Sequence, residues 1–141
     1  MARIEPLPLE SAPPASRSQL EEQIAQHGRA TNMKRTLARS PTALYALMRW
    51  YDLHREVLAF LGTRATTLFA HAISTQTDCL ICSTFFRRWL TESGENPDEL
   101  RLDARETALV EYGRQLARDP NRVTDEQFAA VSEHLTPEQI V

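Results

Sequence analysis

At Ser18/Glu21, Asp103/Glu106, Thr124/Gln127 and Thr136/Gln139 a short hydroxyl or carboxylate side chain precedes Glu or Gln by three residues. This spacing marks a helix start. The first side chain accepts an orphan N–H of the opening turn, while the third-position side chain reaches back to the N–H of the cap. No alternating apolar strand pattern, hairpin dipeptide or internal repeat competes with it, so the chain reads as all-α.

The intervals between these signals have helical period. Ser18 opens a short helix that Gly28 ends, glycine being the residue that leaves a helix at least cost. A second helix starts at Ser40 with Pro41 in the first turn, where a missing N–H does no harm, and Gly62 closes it. Leu44, Leu47, Met48, Tyr51, Leu58 and Leu61 recur along it at three- and four-residue steps, an ordinary core face. A third helix is expected from about Thr63 to Ser74, with Leu68, Phe69 and Ala72 inward. Asp78 is expected to cap a fourth, ending near Gly94, whose Cys82, Phe85, Phe86, Trp89 and Leu90 form an apolar stripe that turns Cys82 to the core. The helix from Asp103 carries Leu109, Val110, Tyr112 and Leu116 and stops near Asp119-Pro120. The Thr136-Pro137-Glu138-Gln139 signal opens a helix that Val141 leaves without a body, so the domain is expected to be shortened at its C-terminus.

With 141 residues the chain fits one domain with a real core. Residues 1–17, with Pro6, Pro8, Pro13 and Pro14, are expected to form an extended or disordered arm, and residues 18–141 the helical domain. The net charge of −3 and the absence of a basic stripe give no footprint for nucleic acid, the Arg87-Arg88 doublet being too short. No run approaches the roughly 20 apolar residues of a membrane span, and the N-terminus lacks the apolar core of a signal peptide. The cytoplasm is the expected compartment.

One feature is chemically loaded: Cys79-Leu80-Ile81-Cys82 at a helix start. Residues three apart on a helix have side chains about 5–6 Å apart, a separation a disulfide tolerates. Unpaired N–H groups and the positive dipole end of the first turn favour thiolate over thiol, and Asp78 partly opposes them. Zinc would need further ligands, and only His71 and His54 are at hand without a second cluster, so no metal is expected. The bland alternative is a pair of small buried hydrophobes.

The run Ile73-Ser74-Thr75-Gln76-Thr77-Asp78-Cys79-Leu80-Ile81-Cys82, the Ser40-Pro41 start, and Glu111 to Pro120 followed by Val123-Thr124-Asp125-Glu126 resemble the carboxymuconolactone decarboxylase and AhpD-like alkylhydroperoxidase superfamily, from about Met33 to Val141. The resemblance implies an AhpD-like helical bundle assembled into trimers or larger homo-oligomers. It implies a thiol peroxidase, of peroxiredoxin type, that needs no bound cofactor: Cys82 attacks the hydroperoxide, Cys79 closes a disulfide, and an external dithiol reductant restores the pair. Active members place a glutamate, eleven residues, the CxxC pair, three residues and a histidine, the outer two relaying the proton. Here these positions hold Thr67 and Phe86. His71, one turn beyond Thr67 on the same face, is the candidate replacement base. Lactone decarboxylation fits less well, since members with that activity generally lack the cysteine pair. Two questions stay open at this point. The helix dipole favours Cys79 as the more acidic thiol while the resemblance assigns attack to Cys82, and a non-catalytic or redox-sensing helical oligomer remains the alternative function.

Overall fold

The computed structural model describes residues 3–141. Among them all regular structure is helical: α1 (Pro14–His27), α2 (Asn32–Leu37), α3 (Pro41–Leu61), α4 (Thr63–Gln76), α5 (Leu80–Glu92), α6 (Ala104–Arg118), α7 (Asp125–Ser132) and α8 (Pro137–Ile140), with short 3-10 turns at Leu9–Ser11 and Pro120–Arg122. No helix is long and apolar enough to cross a membrane. Two compact units, Met1–Arg55 and Glu56–Val141, stand where chain length suggested one domain, and the division falls within α3.

In the first unit Ala12, Leu20, Ala38 and Leu44 form the core, with Leu9, Leu37 and Met48 packed on it. The Pro-rich start, expected as an arm over 1–17, is extended only as far as Pro8; Met1 and Ala2 lie outside the described residues. Two bonds couple Leu7 to α2, its N–H reaching Arg35 O at 3.3 Å and its carbonyl accepting from Arg35 Nε at 2.8 Å. Helix α1 begins at Pro14 rather than Ser18, because a proline costs nothing where the N–H has no helical partner, and Ala12 and Ser16 are buried as a result. Gly28 leaves α1 in the left-handed conformation, at φ 75°, as its sequence position suggested. Helix α2 has no counterpart in the sequence reading; Thr31 caps it by accepting the Lys34 N–H at 3.4 Å. Buried Lys34 stays satisfied by donating to Gln23 Oε1 and by lying 4.7 Å over the Tyr51 ring.

The second unit is organised around α4, which packs against both α5 and α6, with α7 on α6. One cluster joins Leu61, Ala65, Ala108, Leu109 and Val131, with Ile140 of α8 against it. The other joins Leu68, Ala72, Leu90 and Val110. Gly113 lets α4 and α6 approach, since a Cβ there would lie 2.8 Å from a Phe69 ring carbon. The expected caps form: Asp103 with Glu106 opens α6 and Thr124 with Gln127 opens α7. At α8, Gln139 Oε1 accepts the Thr136 N–H at 3.0 Å.

Helix α5 departs from expectation in two ways. Its N-cap is Cys79, not Asp78; Asp78 instead turns the chain at φ 52°, the left-handed region that Asn and Asp tolerate best among residues with a side chain. Its apolar stripe is also not buried along its length. Only Leu90 is fully inside, Phe86 and Trp89 are half-buried, Phe85 is 47% exposed, and Cys82 is exposed rather than turned to the core. The physical reason is where the helix is seated. Leu90, near the C-terminal end, fits between Leu68, Ala72 and Val110, while the first turn has no buried residue. Between the two ends Phe85, Phe86 and Trp89 pack on one another, with centroids 5.4 Å apart for Phe85–Phe86 and 4.6 Å for Phe85–Trp89.

Candidate functional site

Both cysteines are free thiols at the first turn of α5. The approach to them is fixed by backbone bonds: the Thr77 N–H closes onto Ile73 O at 3.0 Å, and the Cys79 N–H reaches Ser74 O at 2.9 Å across the Asp78 turn. Cys79 is thereby held at the mouth of the next helix. Its sulfur occupies the place of an N-cap oxygen and accepts the Cys82 N–H at 3.4 Å. Cys82 lies one turn inside, beside Leu80 and Ile81, which are 78% and 84% exposed. The pair is a surface site with an apolar rim.

The two sulfurs are not equivalent. A hydrogen bond from Cys82, followed by backbone N–H groups of the opening turn, holds the Cys79 thiol below the usual cysteine range. Cys82 moves the other way. Its side chain is the donor to Cys79, so the bond favours keeping its proton, and partial desolvation and the neighbouring sulfur's charge add to this. The two thiols titrate as a pair, with Cys79 shifted down and Cys82 shifted up.

His71 is half-buried on α4 and belongs to a different group of charges. Burial lowers its pKa first, and the Arg87 and Arg114 guanidinium groups lower it further, against a smaller opposing effect of Asp98. Arg87 makes a paired salt bridge to Asp98, with one N–O distance of 2.9 Å. The structure brings Cys79 and Cys82 together at the start of α5, while His71 lies on α4, where Arg87 and Arg114 act on it. At the two relay positions, buried Thr67 donates its hydroxyl to Thr63 O at 2.8 Å, and Phe86 is engaged with Phe85 and Trp89.

Two features were missed in the sequence. Cys79 as a cap was hidden behind Asp78, whose side chain is the commoner N-cap. The grouping of His71 with Arg87, Asp98 and Arg114 had no signal in spacing, because Asp98 lies in the irregular segment after α5. Among the described residues no three His, Cys, Asp or Glu side chains are placed to hold a metal ion. No protein-family model, no curated protein and no solved structure matches the chain.

Proposed function

We propose that the chain is an AhpD-like thiol peroxidase whose Cys79/Cys82 pair cycles between dithiol and disulfide. One observation carries the reading: two free thiols sit one turn apart at an accessible helix start, the Cys82 N–H bonded to the Cys79 sulfur, with the acidity of Cys79 raised. A thiolate attacks the O–O bond of a hydroperoxide, the resulting sulfenic acid condenses with the partner thiol, and an external dithiol reduces the disulfide. No bound organic cofactor enters this cycle. The resemblance adds a homo-oligomer, trimeric or larger, and the sequence reading adds the cytoplasm; light scattering measures the first and fractionation the second. The test of the activity is a count of free thiols in the reduced protein after addition of hydrogen peroxide or an alkyl hydroperoxide. Loss of both thiols much faster than free cysteine is expected, with intramolecular disulfide formation abolished in Cys79→Ser and in Cys82→Ser.

A second reading is a non-catalytic or redox-sensing helical oligomer on the same scaffold. It is favoured by Thr67, whose hydroxyl is committed to its own helix, and by Phe86, which can relay nothing. Thiol loss at the rate of free cysteine is its signature.

A further inference from the structure

We propose that Cys79 is the attacking sulfur and that Cys82 is both the acid that protonates the leaving group and the resolving thiol, the reverse of the order that the resemblance implies. This rests on the thiol peroxidase reading above. Three observations of position support it. Cys79 Sγ faces the N–H groups of the opening turn and accepts that of Cys82 at 3.4 Å, which places the positive end of α5, a full-length helix, against that sulfur. Cys82 is inside the turn, where its own N–H is spent on Cys79. It is also the more exposed of the two, free to follow a leaving oxygen or to turn toward Cys79. The opposed shifts of the two thiols agree with this division.

The arrangement also answers a chemical question raised by the filled relay positions, which is where the proton comes from. Cys79 thiolate attacks the hydroperoxide oxygen that carries hydrogen; the S–O bond forms as the O–O bond breaks, and the departing alkoxide takes the proton of Cys82 to leave as alcohol. Cys79 is then a sulfenic acid and Cys82 a thiolate. Attack of Cys82 on Cys79 forms the S–S bond and expels hydroxide, which takes up a proton equivalent to the one Cys79 gave to solvent on ionising and leaves as water. Two thiol sulfurs have each lost one electron and the hydroperoxide has gained two. No glutamate or histidine is required.

Other charged groups stand on the same turn and on the packed helices. Asp78 adjoins Cys79 on the turn. On α4 the titratable groups are Arg64, bound to Glu95 and Glu106, and His71; on α5 they are Arg87, bound to Asp98, Arg88 and Glu92, bound to each other. From α6 come Glu111 and Arg114.

The test uses the full chain, reduced, exposed to cumene hydroperoxide with dimedone present, followed by mass spectrometry of each cysteine. In Cys82→Ser, where serine keeps a hydroxyl donor, a sulfenic acid adduct on Cys79 is expected to form faster than on free cysteine. In Cys79→Ser no adduct above the free-cysteine rate is expected on Cys82. The opposite pattern overturns the order of attack and leaves the peroxidase reading standing; absence of fast adducts in both variants removes both. Because either variant alters the pair, unmodified protein supplies a second readout. Iodoacetamide at neutral pH should alkylate Cys79 faster than Cys82, since the larger thiolate fraction outweighs the lower nucleophilicity of the more acidic thiol. Equal rates, or a faster Cys82, overturn the proposal.

Discussion

Helices α5 and α6 of the same unit open on the same device, a side chain standing in for the missing partner of an N–H, and differ in what that side chain is free to do. At α6, Asp103 accepts the Glu106 N–H at 2.8 Å and Glu106 returns a bond to the Asp103 N–H at 3.2 Å. Glu106 also binds Arg64, which reaches Glu95 and, at 3.0 Å, the Arg101 carbonyl, so the start of α6, the start of α4 and the end of α5 share one knot. At α5 a sulfur, a weak acceptor, takes the Cys82 N–H at 3.4 Å, and Leu80 and Ile81 beside it are exposed. A saturated cap secures a helix. An unsaturated one leaves donors available for a charge that comes and goes, which is what a thiolate requires.

The comparison can be broken most severely at the seat of α5. Leu90→Ala removes the one fully buried residue of that helix and is expected to cost about 2–5 kcal/mol, read as a shift of the urea midpoint. If the loss is small, α5 is not held by its C-terminal half. Next in size, Asp103→Ala should cost about 1 kcal/mol in the same measurement, because the α6 cap is fully used. Cys79→Ser sharpens the contrast by changing sign: a hydroxyl oxygen is a better cap than sulfur, so thermal stability should rise by some tenths of a kcal/mol while hydroperoxide reactivity disappears. A variant that is both reactive and less stable contradicts this use of the cap.

The smallest effect is one of pH. His71 has a folded pKa below its unfolded value, so the unfolded chain binds its proton first and stability rises with pH across that interval. Its full contribution is present above the unfolded pKa of about 6.5 and is lost as pH falls toward the lower folded value. Midpoints measured across that interval should fall on acidification, and His71→Gln should flatten the slope. Peroxide reactivity of the same variant should match the unaltered chain if the sulfurs supply their own proton.

The helices were legible where the signal is local. Gly28, Gly62 and the boxes at Asp103 and Thr124 each act within one turn, and the structure has them in place. The burial of α5 was not legible, because an i, i+3, i+4 stripe records which residues share a face and not how much of that face another element covers. Cys82 and Leu90 share the stripe and end exposed and buried respectively. Helix α2, only six residues long, is too short to develop a period. At the site, the pairing of Cys79 with Cys82 followed from spacing alone. The greater acidity of Cys79 was also foreseen from the helix dipole, whereas its place as the N-cap itself, one residue beyond Asp78, was not. The lowered pKa of His71, set first by burial and then by Arg87 and Arg114 from neighbouring helices, had no signal in the spacing along α4.

The most direct measurement is a pH titration of thiolate absorbance in the ultraviolet, on the reduced protein and on Cys79→Ser. The account predicts two separated steps in the unaltered chain, the first below the ordinary cysteine value of about 8.5 and missing from Cys79→Ser. A single step at the ordinary value, or an early step that survives in Cys79→Ser, contradicts it.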